Sequence, residues 1–97
     1  MEVISVKQAK VYEGRPYTII LDLRDPESFK EFHIKNAVNY PYEKIEKGKY
    51  CLPKEYMFIL YCERGGSSLA AARILERDGL RVKSVVGGIH EYKREWG

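Results

Sequence analysis

The stretch from Met57 to Gly79 constrains the fold more than any other part of the chain. Met57-Phe58-Ile59-Leu60-Tyr61 is a short, apolar, aromatic and β-branched run, which reads as a buried strand. It stops at Cys62, passes through Glu63-Arg64-Gly65-Gly66-Ser67-Ser68, and turns into an alanine-rich segment. There, Leu69, Ala72, Ile74 and Leu75 recur at helical spacing up to the stop at Gly79. Cys62 therefore stands at the carboxyl end of a strand and faces the amino end of a helix. In open α/β sheets ligands bind at this edge, because helix N-termini point unpaired N–H groups towards it.

The loop's chemistry follows from charge. The thiolate, not the thiol, is the nucleophile, and a helix N-terminus offers it partial positive charge and free amide donors. Gly65 and Gly66 permit backbone conformations in which successive N–H groups converge on one sulfur or anion. Arg64 adds the loop's one full positive charge. The same residues also admit a plainer reading, a structural cysteine before a Gly-Gly turn with Ser67 or Ser68 as the helix N-cap.

The remaining segments read as scaffold for that turn. Val3-Ile4 is a short strand, and Ser5-Val6-Lys7-Gln8 has capping-box form, opening a helix that Gly14 closes. Tyr17 to Leu23 is a strand whose near-continuous apolar character, Thr18-Ile19-Ile20-Leu21, suits burial on both faces. Asp25-Pro26 supplies the N-cap and first residue of a short helix through Phe32. Ala37 to Tyr40 is a third strand ended by Pro41, and Tyr42 to Lys47 a short helix before Gly48. Val82 to Val86 is the last strand. After the Gly87-Gly88 turn, Ile89 to Trp96 forms a terminal helix with Ile89, Tyr92 and Trp96 along one stripe. This alternation with short connections predicts an α/β fold with a parallel sheet and right-handed crossovers.

With 97 residues, 44% of them hydrophobic, the chain has material for one modest core, so residues 1–97 are expected to form a single domain. The formal net charge of +3 is mild, and Lys and Arg are interspersed with Asp and Glu, which leaves no nucleic-acid-binding footprint. Met1-Glu2-Val3-Ile4 lacks a basic segment followed by a long apolar one, and no run approaches membrane-spanning length. A cytoplasmic, membrane-independent protein is expected. Cys51, Cys62, His33 and His90 are too scattered for a zinc cluster, so no metal is expected. In a small intracellular α/β domain both thiols stay reduced, and Cys51 is expected to be structural or incidental.

Four stretches in this order resemble the signatures of the rhodanese-like (sulfurtransferase) domain family in its single-domain form. They are Ile20-Leu21-Asp22-Leu23-Arg24 with Glu27-Ser28-Phe29; His33-Ile34-Lys35-Asn36-Ala37-Val38-Asn39-Tyr40-Pro41; the cysteine loop; and Val85-Val86-Gly87-Gly88-Ile89 with Trp96. The chain departs from the family's pattern at Phe32 and Asn36, where glycines are usual, and at Ser67, where many relatives carry arginine. The resemblance implies a mainly parallel five-stranded sheet of spatial order 1-5-4-2-3 with helices on both faces and the strand before Cys62 at its centre.

It also implies a sulfurtransferase. The Cys62 thiolate would take the outer sulfur of a small anionic donor such as thiosulfate, hold it as a persulfide, and pass it to cyanide or a thiol acceptor. A protein sulfur-relay partner is a further candidate acceptor, and neither a metal nor an organic cofactor is implied. Glu63, Arg64, Gly65, Gly66, Ser67 and Ser68 form the substrate loop, whose amides are expected to stabilise the persulfide. Arg64 is expected to recruit the donor in place of the missing arginine. Arg24 is a second candidate for that role beside its ordinary one of pairing with Asp22, and His33 is expected to be structural. Three other readings stay open: a non-catalytic partner-binding or regulatory module of the same fold; a cysteine phosphatase or arsenate reductase, whose C-x5-R pattern needs arginine where this chain has Ser68; and a redox sensor with Cys51 as resolving thiol.

Overall fold

In the computed structural model, which describes residues 1–97, each apolar run has become a strand and each periodic segment a helix. The elements are β1 (Glu2–Ile4), α1 (Val6–Val11), β2 (Thr18–Asp22), α2 (Pro26–Glu31), β3 (Val38–Asn39), α3 (Tyr42–Glu46), β4 (Met57–Tyr61), α4 (Gly66–Arg77), β5 (Arg81–Val85) and α5 (Gly88–Trp96). The strands lie in the order β1-β5-β4-β2-β3, every neighbouring pair is parallel, and β4 is central as expected. No helix is long and apolar enough to cross a membrane.

Local signals account for most of the boundaries. Ser5 and Gln8 form the reciprocal capping box, Gln8 N–H donating to Ser5 Oγ at 3.1 Å and Ser5 N–H to Gln8 Oε1 at 2.8 Å. Asp25 caps α2 by accepting from the Ser28 N–H at 3.2 Å. Asn36, which replaces a glycine usual in the resembling family, holds φ +70, a left-handed conformation that asparagine tolerates better than most residues.

Alternation along β4 divides the core. Phe58 and Leu60 point into one cluster with Leu21, Ile45 of α3, and Ala71, Ala72 and Leu75 of α4. Ile59 and Tyr61 point into the other, with Ile20, Val85, Val6 and Ala9 of α1, and Ile89 and Tyr92 of α5. Continuing the alternation sends Cys62 to the α4 side. Phe58, Ile59, Leu60 and Tyr61 are fully buried, each side chain contributing about 1.5–3 kcal/mol of burial. Trp96 shares the stripe of Tyr92 as expected, tilting against it with ring centroids 5.1 Å apart, and stays 41% exposed at the helix end.

One polar knot interrupts this apolar interior. Asp22, fully buried, accepts from the Arg24 backbone N–H at 2.9 Å, from Arg24 Nη2 at 2.9 Å, and from the Tyr61 hydroxyl. The Tyr61 oxygen in turn accepts from the Ile34 N–H at 3.1 Å. Arg24 Nη2 also donates to the Phe32 carbonyl, and the Asn39 side chain donates to the carbonyls of Asp22 and Arg24. Burial, reinforced by the bond to Asp22, pushes the Tyr61 phenol far above its ordinary range, so it remains a neutral donor. Burial opposes the Arg24 charge, but the bond and the proximity of Asp22 hold the guanidinium above its ordinary value.

Tyr61→Phe is therefore expected to lower the stability by about 1–3 kcal/mol, because the buried Ile34 N–H and an Asp22 oxygen both lose a partner. Urea denaturation reads this as a lower midpoint at unchanged slope. A Tyr61→Phe variant as stable as the parent would mean that the knot is not what joins β2, β4 and the Ile34 turn.

Candidate active site

The geometry at Cys62 begins with the carbonyls beside it. The Cys62 C=O accepts from the Ile89 N–H at 2.9 Å, and the Glu63 C=O accepts from the His90 N–H at 3.1 Å. Ile89 and His90 lie in the first turn of α5, whose N–H groups have no partner within their own helix. The end of α5 thus pins the loop's first two carbonyls. This approach is so close that a Cβ on Gly88, at φ +57, would lie 2.3 Å from the Cys62 oxygen and 2.7 Å from the Glu63 oxygen.

With those carbonyls held by α5, the chain turns back over the sulfur. The Gly65 N–H donates to Cys62 Sγ at 3.1 Å and the Ser68 N–H donates at 3.4 Å. Gly65 sits at φ +109, a conformation open to glycine and costly for other residues. Cys62 itself is only 6% exposed.

Helix α4 starts at Gly66, three residues before the Leu69 start read from the sequence. Neither Ser67 nor Ser68 caps it; Gly65 is the N-cap and offers no side chain. The reason is the sulfur. Cys62 Sγ takes the N–H of the third helical residue, the one a capping side chain ordinarily takes. Of the four N–H groups at this helix end, those of Gly65 and Ser68 bind sulfur, while those of Gly66 and Ser67 have no acceptor within the chain. They are free for an incoming anion.

The loop's side chains divide by role. Arg64 is exposed and has no carboxylate within ion-pair distance, so its charge is uncommitted. Ser67 is exposed. The Ser68 side chain is fully buried, its hydroxyl donating to the Gly65 carbonyl at 3.1 Å and lying 2.9 Å from Ser84 Oγ. Glu63 is exposed, 3.9 Å from Arg24 Nη1. A depression of about 300 Å³ adjoins the loop, lined by Val3, Arg64, Gly65, Gly66, Leu69 and Val86 among others.

Arg24 departs from the substrate-binding expectation. It is 9% exposed, and its Nε and Nη2 are committed to Asp22 and to the Phe32 carbonyl, so the structure assigns it to the polar knot. His33, stacked on Phe29 with centroids 3.8 Å apart and with Nδ1 2.7 Å from the Phe29 carbonyl, holds its own turn. Cys51 is exposed and lines a surface depression with Asp78 and Leu80, between the end of α4 and the start of β5. Its N–H donates to the Tyr40 hydroxyl at 3.3 Å, and no residue lining that depression belongs to the Cys62 loop; both cysteines are free thiols.

Three contributors escaped the sequence reading. Gly87-Gly88 was legible as a turn, but nothing local says that Gly88 seats α5 on the cysteine loop. Tyr61 read as an apolar strand residue, although its hydroxyl needs a buried partner. Ser84 carried the clearest signal, a hydroxyl on the strand face that Val82 also occupies, where alternation puts a buried side chain.

Residues 5–95 match the family described as Rhodanese-like domain. Over 76 residues the chain is 34% identical to the thiosulfate sulfurtransferase GlpE of Coxiella burnetii, spanning 77% of this chain and 71% of that protein. It is 33% identical over 67 residues to part of the tRNA sulfurtransferase of Pyrobaculum aerophilum, spanning 69% of this chain and 14% of that protein. The fold superposes on the crystal structure of a rhodanese-related protein from Thermoplasma volcanium with a TM-score of 0.84 at 27% identity. That superposition covers 99% of this chain and 94% of the other.

The contrast between two glycines tests how the loop is held. Gly88→Ala is expected to cost about 1–3 kcal/mol in left-handed backbone strain alone, and more from the clash with the Cys62 carbonyl. Gly66→Ala, where a Cβ would meet nothing within 4 Å, is expected to be neutral or stabilising by up to about 1 kcal/mol. Thermal unfolding of the two variants separates them. Similar melting temperatures would show that α5 does not seat the loop.

Proposed function

The chain belongs to the rhodanese-like domain family, and from that premise we propose that it is a sulfurtransferase whose residues 1–97 act as one domain and whose Cys62 carries the sulfur in transit. The Cys62 thiolate attacks the outer sulfur of thiosulfate. A bond forms between Sγ and that sulfur while the S–S bond of thiosulfate breaks, and sulfite leaves with the electron pair. The resulting persulfide is then attacked at its terminal sulfur by cyanide or a thiolate. The Sγ–S bond breaks, the product departs as thiocyanate or as a new persulfide, and the Cys62 thiolate returns.

The observation that carries this reading is the allocation of amides at the N-terminus of α4. Two N–H groups on Sγ favour negative charge on the nucleophile, and the unengaged N–H groups of Gly66 and Ser67 are placed to receive the charge that moves to the outer sulfur of the persulfide. The phosphatase reading lacks a comparable support. At Ser68, where a C-x5-R loop needs a guanidinium, there is a buried hydroxyl committed to the Gly65 carbonyl. Arg64, exposed and unpaired, is the cation available to recruit an anionic donor. A protein sulfur-relay partner is the proposed physiological acceptor, in keeping with similarity to a protein named tRNA sulfurtransferase, with small thiols and cyanide as its surrogates.

Intact-mass measurement tests the central step. Incubation with thiosulfate is expected to add one sulfur, and cyanide to remove it. Cys62→Ser is expected to take none while keeping its fold, and Cys51→Ser to behave as the parent. Failure of the parent protein to gain sulfur, or undiminished turnover by the Cys62 variant, would reject the assignment.

Arg64→Ala tests donor recruitment. A hydrogen-bonded contact to a charged group contributes about 1.5–3 kcal/mol, so its loss is expected to lower kcat/KM for thiosulfate by roughly ten- to a hundredfold, mainly through KM. Added salt should narrow the gap, because an exposed charge is screened. An uncharged donor should be little affected. Equal losses with charged and uncharged donors would instead make Arg64 a loop-shaping residue.

A further inference from the structure

Ser84 is 2% exposed on β5, in register with Leu60 on one side and Val3 on the other. Its strand neighbour two residues earlier, Val82, packs in the apolar cluster beneath α4, on the face to which Ser84 also points. An aliphatic side chain would suit this position, yet a hydroxyl occupies it, 2.9 Å from Ser68 Oγ. The direction of that bond follows from proton count. The Ser68 hydroxyl has one proton, and it goes to the Gly65 carbonyl at 3.1 Å. Ser84 is therefore the donor, and Ser68 the acceptor.

A continuous series results. Ser84 O–H donates to Ser68 Oγ, Ser68 O–H donates to the Gly65 carbonyl, and the N–H groups of Gly65 and Ser68 both donate to Cys62 Sγ. The two residues whose amides hold the sulfur are thus tied to one another by a side chain whose own rotamer is fixed from β5. Ser84 polarises the Ser68 hydroxyl it donates to, but the Gly65 carbonyl belongs to the following peptide, so the tie to the amides on sulfur is one of position.

We propose that Ser84 is a positioning residue for the sulfur cradle: its hydroxyl bonds neither Sγ nor the loop backbone, and it acts by locking Ser68 so that both amides stay aimed at sulfur. The role rests on the sulfur-transfer reading for its purpose, but not for its measurement. Ser84→Val and Ser84→Thr present the same branched shape and differ only by a methyl in place of the hydroxyl.

The test uses the full chain with Cys51→Ser, so that Cys62 is the one thiol, and reads two rates in each variant: alkylation of Cys62 by iodoacetamide at fixed pH, and sulfur loading from thiosulfate. Folding is verified by circular dichroism at the working temperature. Ser84→Ala and Ser84→Val are expected to slow both rates by about three- to tenfold, the equivalent of one hydrogen bond, with KM for thiosulfate nearly unchanged. Ser84→Thr is expected to restore them. Ser68→Ala combined with Ser84→Ala should lose less than the product of the single losses, as members of one chain do. Should Ser84→Ala fail to fold, the Val and Thr pair decides alone. Equal alkylation rates for Val and Thr, or single losses that multiply in the double variant, would overturn the proposal. Alkylation that follows the predicted order in a protein that never takes sulfur would uphold the Ser84 role and reject sulfur transfer.

Discussion

Two helix ends meet at the tip of the central strand, and the site depends on how their unpaired N–H groups are shared out. The end of α5 gives two of them to the carbonyls of Cys62 and Glu63, and the end of α4 gives two to Cys62 Sγ. Gly88 makes the approach possible because it adds no atoms between α5 and the loop. Backbone groups alone therefore create a polarised, water-poor seat for a sulfur anion, where the field of aligned amides is little screened.

Beneath that seat the fold carries a second polar system, the knot of Asp22, Arg24 and Tyr61. Breaking a buried pair costs more than the pair contributes, which makes such a knot a specifier of register more than a source of net stability. Here it joins the carboxyl ends of β2 and β4 to the turn at Ile34 through a single hydroxyl and a single carboxylate. Tyr61 directly precedes Cys62, so fixing its side chain on one face of the sheet fixes the direction in which Cys62 leaves the strand on the other. The nearby contact of Arg24 with exposed Glu63 is long, 3.9 Å, and at that exposure is worth little.

The fold was largely readable because its signals are local. Caps at Ser5 and Asp25, near-continuous apolar strands and glycine stops each act within a few residues, and they place the ten elements within one to three residues of their observed limits. Cys62 and its glycines were readable for the same reason. What escaped depended on partners distant in sequence: Tyr61 with Asp22 and Ile34, Ser84 with Ser68, Gly88 with Cys62. The misplaced start of α4 has a sharper cause. Ser67 and Ser68 look like caps to any rule that counts only oxygen acceptors, but a sulfur four residues ahead of the helix's first residue had already taken the capping role. Arg24 was readable in two senses, as a partner of Asp22 and as a ligand-binding group, and its donors are spent on Asp22 and the Phe32 carbonyl.

The same accounting bears on why Ser67 can stand where many relatives of this fold carry arginine. A guanidinium at that position would add a full charge beside the sulfur, whereas here the proposed donor would be met by backbone dipoles at the helix end and by the exposed Arg64. Sulfur in transit sits about 2 Å beyond Sγ, one S–S bond outward. In the proposed persulfide that displacement would carry the negative charge away from the amides of Gly65 and Ser68 towards those of Gly66 and Ser67, which Sγ leaves unused. A carrier has to hold sulfur without keeping it. On the reading proposed above, neutral amides would hold the outer sulfur's charge less tightly than a fixed cation, so the sulfur would be easier to give up to a thiolate or cyanide, and exposed Arg64, with no carboxylate in ion-pair distance, would be the charge that attracts the donor.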